Sequence, residues 1–295
     1  MTGNTGNTGN TGNTGNTGNA GASTGDGWIY ADRIDYPFVL EVLEKAKSNE
    51  LSIDPPLPRF PEERWGAQWR AQLVLDEFIR AVDWDNFDIK QPRNGKSADP
   101  KTLPSIEIPE LLELAQDNRA DALGEILSQS DEFLSYFAGL LQIAPGSRSY
   151  TRSLLHIAEV VATVAVMHFK KQERRARPST ICPALFPPLS VPSHPSWPSG
   201  HATQARLVFA VLRFALEGSF SIGNDQYDPI PGNHAPLVKA LEVLSDRIAK
   251  NREIAGLHFP SDSVAGKNLG DELLGVLMAC PTFLAIVADA KQEAW

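Results

Sequence analysis

The chain has 295 residues, 42% hydrophobic and 21% charged, with 36 acidic against 27 basic side chains and a formal net charge of -9. That balance excludes nucleic acid as a general partner, since no basic surplus exists to displace counterions, and it gives no global attraction to anionic membranes. The two cysteines, Cys182 and Cys280, set no disulfide framework and are expected as free thiols.

Residues 1–26 are almost wholly Thr-Gly-Asn repeats, a tract expected to be disordered and lacking the basic and apolar regions of a secretory signal. Residues 27–295 are expected to form a single helical domain, with a motif-bearing core at about 150–290. Tyr36 to Lys47 carries apolar residues at helical spacing, and Pro55, Pro56, Pro58 and Pro61 then break the chain. Trp65 to Val82 resumes the pattern, with Trp69, Leu73, Phe78 and Ile79 assigned to one face. Asp83 to Pro109 is polar and proline-interrupted, and reads as a long loop. Three short helices follow, Ile108 to Ala115, Ala120 to Leu127, and Asp131 to Ile143, the last with an acidic start.

Ser149 to Arg175 is the longest periodic run, basic at its C-terminal end where cations complement the helix dipole, and Pro178 is expected to stop it. Ser179 to Pro198 is proline-rich and reads as a shaped, non-helical loop. Helices are then expected at His201 to Glu217, Pro236 to Ile254 and Pro260 to Asp289, the last broken near Pro281. Strand patterns are nearly absent. The fold class is therefore all-α, a multi-helix bundle with its site in the core between facing helices. No apolar run matches the roughly twenty residues of a bilayer span, so the expectation is a soluble, cytoplasmic protein, with export and self-association left open.

Three separated segments carry the chemistry. The first is Lys170-x6-Arg177-Pro178. Its residues are spaced by about two helical turns, so both cationic heads can lie on one side. Lys171 is one position out of register, and Lys170, Lys171, Arg174, Arg175 and Arg177 together also read as a solvated helix end. The second is Pro198-Ser199-Gly200-His201, between the proline-rich loop and an apolar helix. Ser199 can cap that helix, Gly200 lets the backbone approach a ligand, and free N–H groups at a helix start suit an anion. The third is Arg252-x5-His258-x3-Asp262. Asp262 can accept from Nδ1–H of His258 and expose Nε2, while Arg252 can fork onto an oxyanion. The segments supply cations expected to stay charged at neutral pH, two imidazoles and a carboxylate, an inventory for phosphate or a metal oxide of that shape. Taken singly, each also fits a structural role. His156 and His168 read as packing residues, His194 as a surface loop residue, His234 as a helix start, and Trp197 as a site wall or a packing residue.

In order and jointly, these segments resemble the signature of the type 2 phosphatidic acid phosphatase superfamily, which also contains bacterial acid phosphatases and vanadium-dependent haloperoxidases. Every charged and catalytic position matches, and Asn251 stands where the family usually has Ser. The resemblance covers roughly Ala158 to Leu277 and implies a soluble bacterial-type member. By that resemblance Lys170, Arg177 and Arg252 bind equatorial oxygens, helped by Ser199 and Gly200. His258 is the nucleophile forming a phosphohistidine, Asp262 orients it, and His201 is the acid and base. No metal or cofactor is implied for phosphatase chemistry. In the haloperoxidase branch the same pocket holds vanadate, with His258 ligating vanadium and hydrogen peroxide and a halide as substrates. The first expectation is thus a hydrolase of soluble phosphomonoesters. The alternatives are a vanadium haloperoxidase and a non-catalytic anion-binding protein.

Overall fold

In the computed structural model the described residues are 62–144, 146–217 and 234–293, with Ser48 and Phe60. The repeat tract, the Tyr36 to Lys47 helix and the proline break after it lie outside them. The chain divides into two units, Met1–Trp65 and Gly66–Trp295, and the fold and site belong to the second. Its helices are α1 Ala67–Ala81, α2 Pro104–Asp117, α3 Arg119–Asp131, α4 Leu134–Leu140, α5 Ser149–Glu173, α6 Pro178–Ile181, α7 Gly200–Glu217, α8 Ala235–Ile254, α9 Pro260–Leu277 and α10 Pro281–Ala290. Among the described residues no strand forms, and Arg93 and Lys96 make an isolated bridge. The all-α expectation holds.

The central element is α7. Its run from Ala205 to Leu212 is buried all round. A helix apolar on every side must be enclosed, and α5, α8 and α9 pack against it. The other helices are amphipathic and close the bundle from outside, α1 and α10 on α5, α3 and α4 on α8.

The α7–α9 crossing brings two motifs together, and glycine makes it close. A Cβ built on Gly266 would lie 2.7 Å from the Ser199 carbonyl oxygen, and one on Gly270 would lie 2.8 Å from Cβ of Arg206. Contacts that short force backbone to move. Gly266→Ala is expected to cost about 1–3 kcal/mol of stability and to push the Ser199 turn off Asp262. Urea unfolding, read alongside activity, checks both parts.

Several boundaries differ from expectation, each for a local reason. The α1 core face is Arg70, Ala71, Val74 and Phe78, while Trp69, Leu73 and Ile79 are exposed. Arg70 reaches inward because its guanidinium lies over the Tyr150 ring at 4.1 Å and bonds Ser153 at 3.3 Å. Asp131 ends α3 rather than starting the next helix. Helix α2 begins at Pro104, where proline is tolerated in the first turn, and so takes in residues assigned to a loop. The proline-rich loop contains the short α6 and a 3-10 turn, Pro183–Leu185. The break at Pro281 is real: α9 and α10 meet at a bend of 97°. One helical stretch among the described residues, Ser149–Ile181, is long and apolar enough to cross a membrane by composition, with mean hydropathy 1.3, contrary to expectation. Of its apolar window 61% is buried inside the protein, as in a core helix.

Candidate active site

Helix α5 ends at Glu173, and Arg174 takes a left-handed conformation (φ 49°) with its N–H bonded to the Lys170 carbonyl at 3.1 Å. The helix is interrupted there. Arg177 therefore reaches the site from beyond the helix, as the extended N-cap of α6, with Pro178 in the first turn. Lys170 and Arg177 do not share a helix face, because Arg177 stands in the extended link before α6, and Pro178 starts that helix instead of stopping one. Lys170 is buried and Lys171 exposed. Lys170 Nζ donates to the carbonyls of Pro195 (2.5 Å) and Ser196 (2.8 Å). Arg177 donates to those of His194 (3.0 Å) and Leu257 (3.0 Å). The proline-rich loop is thus fastened by its carbonyls beneath the cations. His194 is half-buried, with Nδ1 3.2 Å from Arg177, so it helps to seat that guanidinium instead of lying on the surface.

Ser199 is buried and donates its backbone N–H to the Asp262 carbonyl at 3.0 Å. Its hydroxyl does not cap α7; Oγ is buried without a hydrogen-bond partner. His201, in the first turn of α7, places Nε2 3.1 Å from the Gln129 carbonyl oxygen. A carbonyl only accepts, so the neutral ring carries its proton on Nε2 and its lone pair on Nδ1. The Phe133 ring lies 5.6 Å away. Burial, and after it the like charge of Arg252, pushes His201 down to about 3.

Arg252, near the end of α8, donates Nη2 to the Ile126 carbonyl at 2.8 Å, while its buried Nε and Nη1 have no partner. The turn beyond needs Gly256, which sits at φ +74° with Leu185 Cβ 3.3 Å from where a side chain would start. His258 follows, with Nδ1 3.3 Å from Asp262 Oδ2 and Nε2 3.3 Å from Arg177 Nη1. Guanidinium cannot accept, so Nε2 holds the lone pair and Nδ1–H faces the carboxylate, the tautomer a nucleophile or metal ligand requires. Burial, then Arg177 and Lys170, hold His258 well below its usual range. Asp262 is raised by burial, opposed by Arg175. Its Oδ2 also accepts from the Phe259 N–H at 2.9 Å.

Lys170 corrects one expectation. Burial, with Arg177 adding to it and Asp262 opposing, lowers it to about 7, so it does not stay fully charged through neutrality. Arg177 and Arg252 fall only to about 10, mainly by burial, and stay cationic. Oxyanion affinity is therefore expected to weaken as pH rises above about 7, because deprotonation removes one attracting charge. A bound anion favours the ammonium and moves the midpoint upward. Calorimetric titration of phosphate at several pH values checks this, and Lys170→Met should abolish that limb.

Sequence reasoning missed the support of these groups. Arg175, read there as part of a solvated helix end, is buried and bridges Asp262 Oδ1 (2.7 Å) and Glu107 Oε2 (2.7 Å), with its guanidinium 4.0 Å above the Phe259 ring. Glu107 in turn accepts from the Ser261 N–H at 2.7 Å. The only sequence signal for Arg175 was its position two residues before Arg177. The carbonyls of Ile126 and Gln129 carry no side-chain signal. His168 and His156 are engaged elsewhere: His168 stacks on Trp84 at 4.2 Å, and His156 faces Glu159.

Ser199 Oγ and Arg252 Nε and Nη1 are left without partners in a folded interior, where such groups are rare. With Lys170, Arg177 and the free Nε2 of His258 they fit a bound oxyanion, phosphate or vanadate alike. A separate cleft of about 400 Å³ lies between α8, the start of α9 and the Arg93–Lys96 turn, and none of these site residues lines it. Its cations are already matched, Arg93 and Arg206 with Asp271, Lys96 and Lys250 with Glu110, Lys239 with Glu242 and Lys267 with Asp246.

No protein-family model matches the chain. A vanadium-dependent bromoperoxidase from Corallina officinalis is 33% identical over 112 residues, and one from Corallina pilulifera 32% over 112 residues. Each match covers 34% of this chain and 18% of the relative. A transmembrane PAP2-type phosphatidylglycerolphosphate phosphatase from Bacillus subtilis, known from its crystal structure, aligns with a TM-score of 0.34 at 18% identity. It covers 72% of this chain and 95% of that one, a likeness too weak to carry an argument. The chain thus shares a local likeness with vanadium-dependent bromoperoxidases over 112 residues and spans less than a fifth of their length.

Proposed function

We propose that this chain is a phosphoric ester hydrolase that acts on soluble phosphomonoesters through a phosphohistidine. The observation that carries the reading is the His258 tautomer, with Nδ1–H toward Asp262 and the Nε2 lone pair beside Arg177. Lys170, Arg177 and Arg252 hold the equatorial phosphoryl oxygens, with Ser199 and the Gly200 backbone adding hydrogen bonds. Nε2 attacks phosphorus; the N–P bond forms as the bond to the ester oxygen breaks. Asp262 offsets the positive charge that develops on the ring. The leaving alkoxide takes a proton from His201. Water then attacks phosphorus, His201 accepts its proton, and phosphate leaves with His258 restored. His201 is neutral in the empty pocket. Burial is the main cause, with Arg252 next; the charge of a bound phosphate opposes the cationic part and so favours the imidazolium that the acid role needs. Preorganised cations supply most of the transition-state stabilisation.

The likeness to the bromoperoxidases favours a second reading, a vanadium-dependent haloperoxidase. Vanadate would occupy the same residues, with His258 Nε2 as its protein ligand. When bound, it would supply activation of hydrogen peroxide toward halide. Asp262 would keep Nε2 unprotonated, and His201 would carry protons at the oxyanion.

One pair of assays separates them. A phosphatase turns over para-nitrophenyl phosphate between acidic and neutral pH, with vanadate as a competitive inhibitor. A haloperoxidase, loaded with vanadate and given peroxide and bromide, brominates a phenolic dye. Folded protein that binds phosphate yet does neither, with binding unaffected by His258→Ala, would leave a non-catalytic anion binder.

A further inference from the structure

A fourth buried donor without a partner lies on the residue whose carbonyl meets His201, and the sequence motifs do not include it. Gln129, near the C-terminal end of α3, is fully buried. Its backbone carbonyl accepts from His201 Nε2 at 3.1 Å, its side-chain Oε1 accepts from Asn251 Nδ2 at 2.9 Å, and its Nε2 has no partner.

The orientation of this amide is dictated from outside. Arg247 lies on Glu125, donating from Nε to Oε2 at 2.7 Å. Glu125 Oε2 accepts from Asn251 Nδ2 at 3.1 Å. A carboxylate only accepts, so the Asn251 atom facing it must be nitrogen. The Gln129 atom facing that same nitrogen must then be oxygen, which leaves Nε2 as the unpaired end. A flipped Gln129 would set two NH2 groups against each other. Asn251 is the residue that departs from the family signature, and a serine hydroxyl, with one proton, could not donate to both Glu125 Oε2 and Gln129 Oε1.

We propose that Gln129 is a further oxyanion-binding residue, whose Nε2 donates to the anion held by Arg252 and Ser199, and that Asn251 positions it. The inference rests on the oxyanion-site reading and applies to phosphate and vanadate alike. A buried NH2 with no partner is unfavourable in the empty pocket, and a bound oxygen relieves it. Gln129 adds no charge, so it strengthens binding without further depressing His201. The backbone carbonyl that holds His201 survives any substitution at this position.

The test uses the full chain and two probes, inorganic phosphate and orthovanadate, with affinities from equilibrium dialysis. Gln129→Leu should weaken both by roughly tenfold to a hundredfold, the worth of one hydrogen bond to a charged group. Asn251→Ser should weaken both less, and in the Gln129→Leu background it should have no further effect, as expected of a residue that acts through Gln129. Gln129→Glu, nearly isosteric, should bind anions worse than Gln129→Leu, because it presents a carboxylate to the anion, and far-UV circular dichroism confirms that both variants are folded. Wild-type affinity retained in folded Gln129→Leu overturns the inference alone, as does an Asn251→Ser effect that persists in the double variant. Absence of anion binding by the wild type, or binding indifferent to Arg252→Ala, overturns the site reading and takes this inference with it.

Discussion

His258→Ala is expected to reduce turnover by on the order of 10⁴- to 10⁶-fold under either chemistry, because it removes the atom that bonds to phosphorus or ligates vanadium. The loss should fall on kcat. Lys170, Arg177 and Arg252 keep their anchoring carbonyls, so phosphate should still bind within a few-fold of wild type. Vanadate separates the two readings further. If His258 is its ligand, vanadate affinity should drop far more than phosphate affinity. Acid-quench trapping of labelled phosphate on wild-type protein, absent in the variant, would tie the loss to a covalent intermediate. A variant that retains a few per cent of activity with the wild-type pH profile would place the nucleophile elsewhere.

Arg175→Leu carries the second large effect, and it concerns stability first. Arg175 is shared by two buried carboxylates, Asp262 and Glu107, and bonds Ser261 Oγ at 2.6 Å. Its removal strands both charges in the interior, which costs about 3–5 kcal/mol and lowers the melting temperature by on the order of 10 °C. A second consequence is chemical. Asp262 is already raised by burial, with Arg175 as its main counterweight. Without that counterweight it takes up a proton at higher pH and ceases to hold Nδ1–H of His258. Activity should therefore fall at the acidic end of the profile even at temperatures where the variant remains folded. Arg175→Lys should recover part of the stability and little of the geometry, since one ammonium cannot fork between two carboxylates. An Arg175→Leu protein that melts with the wild type would show that the bridge is not formed in solution.

The helices were legible where periodicity was long and flanked by breakers: α5, α7, α8 and the α9–α10 break stand within a few residues of their expected limits. Legibility failed where an apolar stripe competed with a cation that buries its stem. In α1 the pattern pointed to Trp69 and Leu73, but Arg70 found a ring and a serine inside and turned the helix toward them. The motif residues were legible because each carries its own charge or ring signature. Their supports do not. Arg175 looks like any basic residue past a helix end, and its value depends on Glu107, which sits in a segment that proline content marked as loop. No periodicity links positions so far apart. The departure at Asn251 was visible in sequence, but its partners on α3 were not.

Helix α3 has a role that amino-acid substitution can barely touch. It grips Arg252 and His201 through the main-chain oxygens of Ile126 and Gln129, one turn apart. Every residue type brings that oxygen, so the grip is indifferent to what evolution writes along the helix. It is sensitive only to where the helix lies. The exposed side chains of α3 are therefore free to drift, whereas Glu125 and Gln129 meet Asn251 on α8. In the proposed reaction, a frame held by backbone and trimmed by adjacent side chains would let one scaffold change its preferred anion while its proposed nucleophile and acid stay in place.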